Sequence, residues 1–310
     1  MPKNCLKYPA EIVEDAFGKD TTLAEALSGA NVLIVADANV IQRHPRLGVK
    51  IGKYTSRHGI SLAGAPVVMG GGEKIKLGDF APMKSVMDAA ISSGLGPDDR
   101  ILAIGGGTII DVAGYAAAQV RGGVGVVRVP TTPAAMLGAA FADVAALDAP
   151  DEKDAYILPC EPKAVVIDTS FAETVLDGVW GGGIAEAVRL GVANDPELLG
   201  TVSALADSFA RRDMSSLREI VAATLLSRRR HGSTDLGLAS AAVFEQKSNW
   251  KLPHGYAVAI GILADLVDAI NAGEPRSGEL AMAREILDKC GALDGLRHSK
   301  HILPPELAAF

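Results

Sequence analysis

The stretch Ile101–Asp111, ILAIGGGTIID, constrains the fold more than any other part of the chain. Four apolar residues run into three glycines, and a helix-like TIID follows. This pattern reads as a buried strand, a tight turn and the first turn of a helix. Gly105, Gly106 and Gly107 carry no Cβ, so an anion can come close to the backbone there. The first amides of the following helix then face that anion, and the helix dipole adds attraction. A glycine triplet also serves as a plain strand–helix turn, and its spacing is not the GxGxxG of ordinary dinucleotide folds.

The surrounding segments favour a nucleotide site. NVLIVADANV (31–40), APVVMGGGEKIK (65–76), RILAIGGG (100–107) and VGVVRVPTT (124–132) read as strands with polar or glycine-rich ends. FAPMKSVMDAAISSG (80–94) and TIIDVAGYAAAQV (108–120) have helical periodicity. Such alternation predicts a Rossmann-like α/β domain, a parallel sheet covered by helices. Ligands of such sheets lie beyond the carboxyl ends of the strands. Asp37, Asn39, Glu73, the three glycines, Thr131 and Thr132 all fall at those ends. After PKAVVIDTS (162–170) the pattern becomes helical, through residues 181–195, 216–230 and 254–273, with no convincing strand. The expected division is an α/β nucleotide-binding domain over residues 1–162 and an all-α domain over 163–310.

Charge and cysteine content narrow the class of function. A net charge of −7 argues against a general nucleic-acid binder. No apolar run reaches the roughly 18–20 residues of a membrane span, and the N-terminus lacks a signal-peptide core. Cys5, Cys160 and Cys290 are few and widely spaced, with no zinc-knuckle pattern, so a reduced, cytoplasmic protein is expected.

Taken in order, VADANV, GGGEKIK, GGGTIIDVAGYAAA, VPTT, PKAVVID, GGGIAEAV and HGYAVAIG resemble the dehydroquinate synthase-like superfamily of sugar phosphate cyclases. The resemblance spans residues of about 30 to 265, and DGVWGGGIAEAV and HGYAVAIGI look closest to the valiolone-synthase-type branch. It implies an NAD-dependent carbon–oxygen lyase and cyclase, with an active site between an α/β domain and a helical domain and a divalent metal, usually zinc. Homodimers are the family habit, and pairing with a related cyclase is a further possibility.

Residue by residue, the resemblance places NAD contacts on Asp37, Asn39, Glu73, Lys76, Gly105, Gly106, Gly107, Thr108, Asp111, Thr131, Thr132, Phe171 and Thr174. Lys153 and Arg189 fall on catalytic positions. Glu186 and His254 fall on two metal ligands, while Leu238 stands at the third and Ala242 replaces another histidine. Tyr256 replaces a Glu. His231, ahead of the altered segment, is a potential substitute ligand. A buried Glu186–His254 pair, hydrogen-bonded to each other, is the plainer reading. On the substrate side Gly138 replaces an acid, Val144 a lysine and Asp154 an asparagine, and Gly122 stands for an arginine with Arg121 beside it. One carboxylate and one imidazole leave zinc short of three protein ligands. Losing several charge-assisted contacts, each worth about 1.5–3 kcal/mol, severely weakens phosphate binding. Three readings follow: a diverged cyclase acting on an altered polyol or sugar-derived substrate, a silent paralogue serving as partner subunit or NAD-binding module, and an iron-type alcohol or polyol dehydrogenase.

Overall fold

The computed structural model describes residues 5–77 and 80–294. The chain forms two compact units. One is Tyr8–Thr174; the other takes the described residues from Val175 onward together with those ahead of Tyr8.

The first unit contains β1 (Ala10–Val13), α1 (Thr22–Leu27), β2 (Asn31–Asp37), α2 (Ala38–Arg43), α3 (Leu47–His58), β3 (Ser61–Leu62), β4 (Val67–Met69), α4 (Ala81–Ser92), β5 (Arg100–Gly105), α5 (Gly107–Gln119), β6 (Gly125–Pro130), α6 (Pro133–Leu137), β7 (Val144–Ala149), β8 (Glu152–Pro159) and β9 (Ala164–Asp168). Its main sheet runs β1-β9-β6-β5-β2-β3, with β4 beside the carboxyl half of β2, and each of these pairings is parallel. Helices cover parallel strands on both faces, which is why β5, β6 and β9 are near-continuous apolar runs. On one face Leu33, Val35, Ile101 and Ala103 pack with Val112, Ala113 and Ala116 of α5. The small residues of α5 have a second purpose. A Cβ on Gly114 would lie 2.9 Å from Cys160 Sγ and 3.0 Å from Ala145 Cβ, so the helix lies close against an antiparallel β7–β8 hairpin.

That hairpin was not expected from sequence, and it rests on a buried cation. Arg128, in β6, is wholly buried and donates to the carbonyls of Ala140 (3.1 Å), Ala142 (2.5 Å) and Cys160 (2.7 Å). It thus ties both approaches to the hairpin to the sheet. Arg128→Met keeps the stem but strands three carbonyls, each a loss of about 1–3 kcal/mol. Thermal denaturation should show a melting temperature lower by roughly 10 °C, at the usual conversion for units of this size.

The unit boundary lies at Thr174, not near residue 162. The physical reason is β9, which pairs with both β1 and β6; without it β1 has no place in the sheet.

The second unit contains α7 (Asp177–Trp180), α8 (Ala185–Asn194), α9 (Pro196–Ala210), α10 (Met214–His231), α11 (Leu238–Lys247), α12 (His254–Asn271) and α13 (Ser277–Lys289). No strand occurs among its described residues. Helix α12 is buried along most of its length and packs on α8, α11 and α13. Two glycines let it approach neighbouring backbone. A Cβ on Gly255 would strike the Gly182 carbonyl, and one on Gly261 the Gly237 carbonyl. The leading segment joins this unit through Cys5, whose N–H donates to the Arg229 carbonyl at 2.9 Å. Among the described residues no helix is long and apolar enough to cross a membrane.

Candidate functional site

Two clusters carry the predicted site residues, one in each unit. In the α/β unit, Asp37 closes β2 and caps α2, its Oδ1 accepting from the Asn39 backbone N–H (2.8 Å) and side-chain amide (3.0 Å). A Cβ on Gly71 would lie 2.5 Å from Asp37 Oδ2, so the glycine turn after β4 is seated on this carboxylate. The Gly72 N–H donates to Thr108 Oγ1 at 3.2 Å, which joins that turn to the one opening α5. Gly106 precedes α5 in extended conformation with no side chain to cap it, so the opening amides of a 13-residue helix lack a side-chain acceptor. The Thr131 N–H bonds the Gly105 carbonyl at 3.0 Å, while its hydroxyl is buried with no hydrogen-bond partner among the described residues. Thr132 caps α6 by accepting from the Ala135 N–H.

Phe171 and Thr174 lie on the 3₁₀ turn after β9. Thr174 Oγ1 is 2.9 Å from His44 Nε2, and the Phe171 ring meets the His44 ring edge-on at 5.2 Å. Phe171, Phe17 and Leu47 help line a cavity of about 280 Å³.

Behind the two glycine turns lies an ion network. Lys76, only 4% exposed, is 2.8 Å from Asp111, 3.4 Å from Asp154 and 3.9 Å from Asp148. Lys153 is 3.1 Å from Glu73 and 3.5 Å from Asp148. Burial alone would lower the Lys76 amine, but the opposing carboxylates, Asp111 foremost, raise it above its ordinary value. Burial pushes the Asp148 carboxyl up, against the pull of Lys76 and Lys153. Lys153, expected at a catalytic position, is thus drawn into the ion network behind the glycine turns. Asp148 was passed over in the sequence; its only signal was a single acid within the apolar run VAALDA.

In the helical unit, Glu186 and Arg189 lie three residues apart on α8 and pair at 2.7 Å, and Arg228 of α10 reaches the same carboxylate oxygen at 3.6 Å. All three are buried. Arg189 also donates to the Thr234 carbonyl. Burial would raise the Glu186 carboxyl, but Arg189, then Arg228 and His254, outweigh it and hold it below the ordinary 4.5. His254 opens α12 with Nδ1 2.7 Å from Glu245 Oε1, a carboxylate of α11 that is wholly buried. The expected Glu186–His254 pair is therefore replaced by separate partners, Arg189 and Glu245. His231 lies at the end of α10, 3.7 Å from Asp195 Oδ2. Arg228 and Glu245 were missed in the sequence because one stands in a run of three arginines and the other at the end of an altered segment.

Glu186 makes a pH prediction. A lowered folded pKa adds stability that is present above 4.5 and disappears as pH falls through the lowered value. Glu186→Gln leaves two buried guanidiniums without their counter-ion, a loss of about 3–5 kcal/mol near neutrality. In denaturant titrations the gap between wild type and variant should narrow steadily below pH 4.5.

Residues 66–179 match the family described as 3-dehydroquinate synthase N-terminal. The 3-dehydroquinate synthase of Methylococcus capsulatus is 30% identical over 270 residues, covering 82% of this chain and 72% of that protein. This chain belongs to the 3-dehydroquinate synthase-like sugar phosphate cyclases. Solved cyclases of the same superfamily share its fold. 2-epi-5-epi-valiolone synthase from Streptomyces hygroscopicus subsp. jinggangensis 5008, with NAD+ and Zn2+ bound, superposes with a TM-score of 0.75 at 23% identity, covering 95% of this chain and 88% of the synthase. 2-Deoxy-scyllo-inosose synthase, complexed with carbaglucose-6-phosphate, NAD+ and Co2+, gives 0.80 at 17% identity, covering 97% and 86%.

Proposed function

We propose that this cyclase relative is an NAD-dependent lyase whose substrate is a polyol or sugar derivative lacking the family's usual phosphate contacts. The observation that carries the cofactor half is the uncapped start of α5, held against a second glycine turn by the Gly72–Thr108 bond. Gly105, Gly106, Gly107 and Thr108 would hold the pyrophosphate. Asp37 and Asn39 would take the adenosine end, and Thr131, Thr132, Phe171 and Thr174 would line the remainder. The unpartnered Thr131 hydroxyl fits a ligand donor or acceptor at the end of β6. Glu73, Lys76 and Asp111 brace the turn from behind. Bound NAD supplies reversible acceptance of a hydride from a substrate hydroxyl.

The substrate half rests on charge. Four carboxylates surround Lys76 and Lys153, so both ammoniums are already engaged and offer a phosphate no spare cation. Val144, Gly138 and Asp154 supply no cation. A non-phosphorylated polyol needs no such cation and can use carboxylates as hydrogen-bond acceptors. The same engaged lysines favour a second reading, a silent paralogue that keeps NAD as a bound module.

Native mass spectrometry of the purified protein with added NAD+ tests the cofactor half, and a mass increment of one NAD per chain is expected. Mass analysis of the products from non-phosphorylated polyols then separates the readings: loss of one water is the expected change, and no net NADH accumulates because the hydride taken from the substrate is returned to it. Turnover establishes the enzyme, silence with NAD bound selects the module, and failure to bind NAD overturns both.

A further inference from the structure

The helical unit gathers five ionisable side chains where the family resemblance places a metal: Glu186, Arg189, Arg228, Glu245 and His254. Their arrangement does not suit a divalent cation. Leu238 offers no donor atom at the third ligand position. Among the described residues no three His, Cys, Asp or Glu side chains gather in a metal-holding group. One oxygen of the Glu186 carboxylate, Oε2, already carries both Arg189 at 2.7 Å and Arg228 at 3.6 Å.

We infer that Arg189 and Arg228 take the place of the divalent cation at Glu186, so that the helical centre of this chain is metal-independent. The charge balances, because two guanidiniums bring the two positive charges that one such ion brings. Guanidinium remains protonated at any working pH, so this charge is permanent. Both arginines are 4% exposed, and a cation brought to the same oxygen would meet two like charges with little water to screen them. Arg189 is further anchored by the partly buried Thr234 carbonyl, so swinging away would also break that bond. His254 then acts not as a ligand but as an imidazole oriented by Glu245, half in solvent.

The test is zinc binding by the full chain after dialysis against EDTA, read by calorimetric titration, elemental analysis and melting temperature. Wild type should hold far less than one zinc per chain, with a melting temperature that neither EDTA nor zinc moves. Leu238→His alone should behave the same way, because the guanidiniums still occupy the carboxylate. Leu238→His with Arg228→Met should take up about one zinc per chain and melt higher with zinc than without. Stoichiometric zinc in the wild type overturns the inference, and so does zinc binding by Leu238→His as tight as by the double variant. A double variant that melts cooperatively but takes no zinc overturns it as well; if that variant does not fold, the other two arms decide. The outcome is independent of the NAD reading, since that reading fails on NAD titration and this one on zinc.

Discussion

Gly261→Ala should destabilise the helical unit by about 3 kcal/mol or more, although glycine-to-alanine changes inside helices normally stabilise by about 1 kcal/mol. The sign reverses because the new methyl has nowhere to go. It would strike the Gly237 carbonyl and come within 3.0 Å of the Ala241 backbone nitrogen. Backbone atoms cannot rotate aside as a side chain can, so α12 must move off α11. Gly200, in α9, supplies the control, because a Cβ there meets nothing within 4 Å. Gly200→Ala should therefore raise stability by about 0.5–1 kcal/mol. Urea titrations of both variants decide the matter through opposite shifts in midpoint at unchanged slope. Two shifts of the same sign would show that helix propensity, not close backbone packing, governs these positions.

Lys76→Met should remove about 3–5 kcal/mol from the α/β unit, the usual loss when one member of a buried ion cluster is deleted. Asp111, Asp148 and Asp154 would then lose the ammonium they share, and buried Asp148 would keep only Lys153 at 3.5 Å. Asp148, whose carboxyl is already raised by burial, would rise further. For an acid raised in the fold, stability falls as pH climbs through the folded pKa and returns as pH drops below it. The deficit of Lys76→Met should therefore be larger at about pH 7 than at about pH 5. On the proposed NAD-binding reading, NAD affinity should fall along with stability, because Lys76 and Asp111 brace the turn that opens α5. Lys84→Met breaks an exposed i,i+4 pair with Asp88 and should change stability by no more than about 0.5 kcal/mol. A deficit for Lys76→Met that is equal at both pH values would point to lost packing instead of lost charge.

The turns and helix caps of the α/β unit were legible in the sequence because their residues do local work. Gly105 to Gly107 mark one strand–helix turn, Asp37 caps the helix that follows its own strand, and Thr132 caps the next. Each such signal spans a few residues and needs no distant partner. The networks were illegible because their partners are distant. Nothing local tells that Lys76 will meet Asp148, that Arg128 will reach the carbonyls of Ala140 and Cys160, or that Arg228 will share Glu186 with Arg189. The β7–β8 hairpin escaped for a related reason: the exposed strand EKDAYILP lacks the apolar run that betrays the buried strands.

The position of β9 also bears on how this chain is made. Translation delivers β1 first and β9 last among the strands of the main sheet, yet β9 lies between β1 and β6. Until β9 has left the ribosome, β6 and β1 each present an unpaired edge, a template for pairing with other chains. Nascent chains stalled before Ala164 should therefore recruit holding chaperones, and release only once Asp168 has emerged.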